Sequence, residues 1–251
     1  DIHAGGMDLK FPHHECEIAQ NVGACGTQPV RYWMHTNMLN FNGQKMSKSL
    51  GNSILPMQFI TGEHPLLDKP YSAMTVRFLF MQSHYSSELD ITIKGLQDAE
   101  KGLRKLLNAA KFLNELKYQA STIDESQNKL IQDLCTTCKT VMDDDFNAPK
   151  LVATLHELAT QINIYNNTSK LISNLDKDTY NVLLTTYQAF LFDVLGLKDE
   201  EQSGNNDALD KAMQLIIDIR KQARENKDWT TSDKIRDTLK EANINIKDGK
   251  D

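Results

Sequence analysis

The sequence predicts an α/β segment followed by an all-α region, mostly helical overall. Three observations carry that expectation. A strand, helix, strand order fits the first 60 residues. From about Ile93 to Lys117 leucines and alanines recur at helical spacing, which begins a helical bundle. A polar, acidic, glycine-bearing stretch, residues 198–206, then separates a last helical segment. The expected divisions are 1–60, a connecting region 61–92, the bundle 93–197, the linker 198–206 and a small C-terminal module 207–251.

Asp1-Ile2-His3 reads as a strand end and Ala4-Gly5-Gly6 as a turn where backbone approaches a ligand, with the Asp8 carboxylate beside it. Phe11-Pro12 is expected to start a helix that runs to Cys25, because proline suits a first helical turn. On that helix His13 and Glu17 are four apart and share a face. Both side chains can ligate zinc, which needs at least one further protein ligand, and the same spacing also occurs on ordinary solvated faces. Arg31 to Phe41 reads as one strand closed by the tight-turn pair Asn42-Gly43. His35 lies in it without an assigned role.

That strand delivers Lys45-Met46-Ser47-Lys48-Ser49 at its exit. Two ammonium groups three residues apart can reach one polyphosphate, with the hydroxyls of Ser47 and Ser49 and backbone N–H groups completing its hydrogen bonds. An exposed lysine-rich turn is the plain alternative. Glu63 to Tyr71, with Pro65 and Pro70, reads as a surface loop.

The bundle is expected to hold four helices: Ile93 to Lys117, Ser126 to Met142, Pro149 to Asn163, and Asp178 to Leu195 ending near Gly196. On the first, Leu96, Ala99, Leu103, Leu106, Leu107, Ala110 and Leu113 form the apolar stripe. Asp143-Asp144-Asp145-Phe146-Asn147 suits a helix N-terminus. Cys135 and Cys138 form CxxC without a second pair, which favours core thiols over a metal site. In the last segment Arg220, Lys221, Arg224 and Lys227 lie near Trp229. Such a basic run is either a solvated face or a place where unstacked bases lie on an aromatic ring.

Composition bounds the rest. With 40% hydrophobic and 25% charged residues the chain has enough apolar surface for a core, and no run approaches the ~20 apolar residues of a membrane span. The four cysteines lack framework spacing, so a cytoplasmic protein with free thiols is expected. A net charge of −6 excludes a uniformly basic coat, so any nucleic-acid contact is local.

Several strings together resemble cysteinyl-tRNA synthetases, class I aminoacyl-tRNA synthetases. They are DIHAGGMDLKFPHHECEIAQ (Asp1 to Gln20), YWMH (Tyr32 to His35), GQKMSKSLGN (Gly43 to Asn52), SHYSSELD (Ser83 to Asp90) and MDDDFNAP (Met142 to Pro149). The similarity runs through essentially the whole chain, and Lys45 to Ser49 matches the class I KMSKS loop in all five positions. It implies the second half of a Rossmann-like nucleotide-binding catalytic domain, then a tRNA-bracing bundle and an anticodon-binding module. The implied reaction joins ATP and L-cysteine as an adenylate, releases pyrophosphate and passes the cysteinyl group to tRNA-Cys.

Carried over residue by residue, Lys48 is the leading catalytic residue, with Lys45 assisting. His3, Gly6, Asp8, Lys45, Ser47, Lys48 and Ser49 bind ATP or adenylate, with Mg²⁺ on the phosphates. His13 and Glu17 are two zinc ligands, the family's other two being cysteines upstream. Arg224, Trp229, Asp233 and Asp248 match the anticodon-contacting positions. A monomer is expected. Ala4, where a glycine is expected, Cys16, where an asparagine is expected, and the 63–71 insertion depart from the family pattern. The HIGH-type motif is absent too, so this polypeptide alone is expected to be inactive as an adenylate-forming enzyme. Two other readings are a ligase that transfers cysteine to an amino sugar, as in mycothiol synthesis, and a non-catalytic RNA-binding protein built from the same parts.

Overall fold

The computed structural model of the chain describes residues 1–119, 121–168, 171–200, 206–226 and 228–241. They form two compact units, Asp1–Lys198 and Asp199–Asp251.

The first unit opens with strand β1 (Ile2–Gly6), and Ala4-Gly5-Gly6 is its end rather than a turn. It runs parallel to β2 (Tyr32–Thr36), with His3 opposite Trp33 and Gly5 opposite His35. The connecting helix α1 spans Glu15–Cys25, later than expected. Phe11 is extended (φ −133, ψ 133), as the residue before a proline prefers, so the chain turns through Lys10–His14 before α1 begins. Gly26, at φ 70, stops α1.

The expected single strand from Arg31 to Phe41 is instead two strands in two sheets, β2 and β3 (Leu39–Phe41). Asn37 makes the break. Its side-chain oxygen accepts from the Met38 N–H at 2.8 Å, and its own N–H donates to the Tyr85 carbonyl at 3.1 Å. Beyond β3, Asn42 (φ 50) and Gly43 (φ 75) make the two-residue turn into β4 (Gln44–Lys45), placing Asn40 opposite Lys45. On its other side β3 pairs in parallel with β5 (Leu89–Ile91).

Helices α2 (Pro56–Thr61) and α3 (Ala73–Met81) lead to the bundle. The stretch between them is not a plain surface loop. Tyr71 is 1% exposed and donates to Asp68 at 2.7 Å, while Asp68 also accepts from Gln97 at 2.8 Å and Lys69 meets Glu100 at 2.6 Å. Buried phenol and paired charges fasten it to the bundle's first helix.

The bundle comprises α4 (Ile93–Glu115), α5 (Glu125–Asp143), α6 (Ala148–Thr168) and α7 (Lys177–Gln188), the last continuing in a wider turn through Ala189–Val194. α6 packs on both α4 and α5, and α7 on α5 and α4. The anticipated stripe of α4 is buried apart from half-buried Leu107, and it meets Leu151, Leu155, Leu158 and Ile162 of α6. In the acidic stretch before α6 the capping acceptor is Asn147, whose side chain takes the Lys150 N–H at 3.3 Å. The aspartates do not fill that place, and Asp145 instead accepts the Tyr85 hydroxyl at 2.7 Å.

The described residues of the second unit form two helices packed on each other, α8 (Asn206–Glu225) and α9 (Trp229–Glu241), with Ala223, Ser232 and Leu239 buried. Asp228 caps α9 by accepting the Thr231 N–H at 3.1 Å. Among the described residues no helix is long and apolar enough to cross a membrane.

Cys16 and Cys25 are exposed and Cys135 and Cys138 buried, all as free thiols. Burial, with Cys135 beside it, pushes the Cys138 thiol up to about 12. A thiol-titrating disulfide reagent at about pH 8 is therefore expected to label two cysteines in the native chain and all four in denaturant, since only thiolates react. Native-state labelling of Cys138 at the rate of Cys16 would contradict this packing.

Candidate active site

Two constructions in the first unit carry chemistry. The first is a cluster of rings and a carboxylate on β1, β2 and the start of α1. Glu17 lies between two imidazoles: one carboxylate oxygen is 3.5 Å from His13 Nε2, the other 3.6 Å from His3 Nδ1. His3, His14 and Glu17 offer ligand atoms all within 4.8 Å of one another. His3 stacks on Trp33 with ring centroids 4.6 Å apart, and His14 leans on His3, Trp33 and His35 at 4.8, 4.9 and 5.1 Å.

His14 is 3% exposed, and its Nδ1 shares a proton with His35 Nε2 at 2.9 Å. Burial, aided by the charge of His3, lowers its basicity, which keeps the ring neutral and able to hold that bond at neutral pH. Sequence reasoning missed His14 and left His35 open. The signal was Gly5: a Cβ there would lie 2.7 Å from His14 Cε1, so only a bare strand leaves room for the ring. Gly6 serves Asp8 likewise, since its Cβ would collide with the Asp8 carboxylate. Trp33 Nε1 is buried without a hydrogen-bond partner among the described residues, a donor left in the wall of the cluster.

The donor set fits zinc. With Zn–N and Zn–O bonds of about 2.1 Å, adjacent corners of a tetrahedron lie roughly 3.4 Å apart, and both contacts of Glu17 come close to that edge. The mutually close donors are His3, His14 and Glu17, and His13, expected as a ligand, approaches Glu17 but is not one of that group. Cys16 is exposed on α1 and absent from the cluster.

The second construction is the loop after β4. Lys45 and Lys48 are exposed, whereas Met46 packs against the core. Asn52, 7% exposed, clips the two ends together: its side-chain oxygen accepts from Ser47 N–H at 2.8 Å and its amide donates to the Lys45 carbonyl at 3.2 Å. Within the loop the Ser47 and Ser49 hydroxyls meet at 3.2 Å, and Gly51 sits at φ 64. Asn52 was quoted in the sequence but given no role, because a buried side-chain amide looks like any loop residue until its partners are known.

In the second unit Trp229 is 59% exposed and Arg224 is exposed. Asp233 faces Arg236 at 3.1 Å. Asp248, and Lys227 of the basic run, lie outside the described residues.

Gly5→Ala is expected to cost about 1–3 kcal/mol of stability through overpacking against His14, read as a lower denaturant midpoint. Asn52→Ala is expected to unclip the lysine loop, so that trypsin cuts after Lys45 and Lys48 several-fold faster, by about the factor that losing one or two net hydrogen bonds implies. Unchanged cleavage would mean the loop is held by something else.

Residues 1–101 match the family of tRNA synthetases class I (C) catalytic domain, and residues 139–198 match the DALR domain. Curated relatives include a cysteine--tRNA ligase of Porphyromonas gingivalis, 49% identical over 255 residues, and one of Cytophaga hutchinsonii, 43% identical over 252. Each alignment takes in 100% of this chain and 50% of the relative, so the chain spans about half the length of the curated relatives it matches. Among solved structures, a ternary complex of Agrobacterium radiobacter LeuRS with tRNA and LeuAMS superposes with a TM-score of 0.49 at 17% identity, covering 76% of this chain and 24% of that one, too loosely to bear on function. By sequence, residues 1–101 are similar to the class I (C) tRNA synthetase catalytic domains and residues 139–198 to the DALR domains, and the whole chain aligns with about half the length of cysteine–tRNA ligases.

Proposed function

We propose that the chain provides the lysine-loop side of a cysteine–tRNA ligase, which activates L-cysteine with ATP and transfers it to tRNA-Cys in the cytoplasm. The observation that carries the reading is the Glu17 carboxylate set between His13 at 3.5 Å and His3 at 3.6 Å, in a chain whose relatives are named for cysteine. His13 and Glu17 would hold zinc together with ligands from outside the described residues. When bound, zinc takes a soft thiolate far more readily than a serine hydroxyl, which gives the selectivity for sulfur.

The chain's own residues do the rest. His3, stacked on Trp33, and the Asp8 carboxylate line the place for the adenylate, Asp8 toward the ribose hydroxyls and Gly6 giving the backbone room. Lys48, with Lys45, offsets the charge that grows on the β and γ phosphates as the bond to the α phosphate breaks. Charge stabilised at that moment lowers the barrier rather than merely tightening binding. Ser47 and Ser49 donate to the same phosphates, which together with water would hold the accompanying Mg²⁺. The bundle supports the tRNA, and in the C-terminal module Trp229 offers a stacking face while Arg224, Asp233 and Asp248 read base edges of the anticodon.

The test is charging of tRNA-Cys by the complete reading frame that contains this chain. Lys48→Ala is expected to lower kcat about 10²–10³-fold, the usual loss when one charge-stabilising donor is removed, with KM for cysteine little changed. His13→Ala is expected to lower bound zinc and to raise KM for cysteine. Unchanged charging and unchanged zinc content in both variants would overturn the assignment.

A further inference from the structure

Residues 63–71 lie between the lysine loop and the bundle and have no part in the function described above. They lead out of α2, the short helix that carries the chain away from Lys45 and Lys48. A helix of six residues is about 9 Å long and marginal on its own. Only Phe59 of α2 is buried, whereas Met57 and Ile60 are exposed, so its own packing holds it weakly. The link from the loop to α2 has little slack, because Asn52 and Ile54 are both buried in it. A shift of α2 is therefore carried to the exit of the loop.

The 63–71 stretch folds back on the helix it leaves. Gly62 stops α2 at φ 73, and Pro70 N lies 2.8 Å from where a Cβ on Gly62 would stand. The Tyr71 N–H then donates to the Phe59 carbonyl at 2.8 Å and closes the excursion. Pro65 and Pro70 reduce the disorder lost in ordering it. From this closed stretch two side chains reach α4. Asp68 accepts the Tyr71 hydroxyl at 2.7 Å and the Gln97 amide at 2.8 Å, and the bond from Tyr71 holds its carboxyl below the ordinary carboxylate value, so it stays an acceptor for both. Lys69 donates to Glu100 at 2.6 Å, with its Nζ 5.0 Å from the Tyr71 ring centre. Because α4 packs on α6 and α7, these contacts end on a firm base.

We propose that residues 63–71 are a strap that holds the lysine loop to the bundle, with Asp68 and Lys69 as positioning residues that act through α2 on Lys45 and Lys48. Their part in the reaction rests on the ligase reading above, whereas the hold on the loop does not. Since α2 also packs on α3, cutting the strap loosens the loop without releasing it.

The test uses the complete reading frame that contains this chain. Gln97→Met with Glu100→Gln frees the strap from its α4 side, at positions outside the loop. Lys69→Glu breaks the ion pair from the strap side, and adding Glu100→Lys to it restores a pair of reversed sign. Limited trypsin digestion, read by mass spectrometry, compares cleavage after Lys45 and Lys48 with cleavage after Lys105 and Lys111, which are exposed on α4. Both breaking variants are expected to raise loop cleavage about two- to fivefold, the range that losing a part-exposed ion pair or a hydrogen bond allows when digestion follows the open population. Cleavage on α4 stays unchanged, and the reversed pair returns loop cleavage toward its starting rate. Cysteine-dependent pyrophosphate exchange then shows kcat lowered by a similar factor, with KM for cysteine unmoved.

Unchanged loop cleavage in both breaking variants, or a rise on α4 equal to that in the loop, overturns the strap. Should Gln97→Met with Glu100→Gln fail to fold, Lys69→Glu and its reversed pair carry the test. Faster loop cleavage with unchanged kcat overturns the positioning role and leaves the ligase reading standing. Absence of exchange in the unmodified protein overturns the ligase reading, and cleavage alone then decides the strap.

Discussion

Close approach of a side chain to bare backbone is the constraint on which the candidate active site depends. Gly5 sits in a paired strand, where glycine loses entropy and contributes no packing of its own. What it provides is space, and His14 fills it. Once His14 is seated, its bond to His35 ties the start of α1 to β2, and the ring stack of His3, Trp33 and His14 follows. Glu17 is then carried one helical turn further, to where it meets both His13 and His3.

Much of this could be read from the letters, and the reasons for the rest are physical. Periodicity announced the bundle, because a stripe from Leu96 to Leu113 has only one economical burial, on another helix. The Asn42-Gly43 turn was equally plain, since few pairs tolerate two positive φ angles in succession. Local preference misled where a side chain rewired the backbone. Asn37 looks like one more strand residue until its amide is seen bonding the Ser86 carbonyl, and that bond sends β2 and β3 into different sheets. Pro12 suits a first helical turn, yet the restriction it places on Phe11 delayed α1 to Glu15. Asp68 and Lys69 read as loop polarity because their partners, Gln97 and Glu100, lie about thirty residues away in the sequence.

The site residues divide the same way. Lys45, Lys48, His13 and Glu17 were legible because their chemistry depends on spacing along one element. His14, Trp33 and Asn52 were not, because what matters in them is a contact across elements: a ring against a glycine, an indole N–H in a wall, an amide spanning a loop. Residues of the first kind are those proposed to meet the ligand, and residues of the second kind decide how firmly the first are presented.

The Asn52 clip has a kinetic and entropic consequence for the lysine pair. The chain enters the loop from a hydrogen-bonded hairpin and leaves it through a buried asparagine that holds the Lys45 carbonyl. Further along, the Tyr71 N–H is fixed to the Phe59 carbonyl at 2.8 Å. A peptide tethered so closely at both ends samples few backbone shapes before it meets a polyanion. On the proposed reading, gathering two ammonium groups around one phosphate chain then sacrifices little disorder, and the strength of the encounter is set chiefly by the charges themselves.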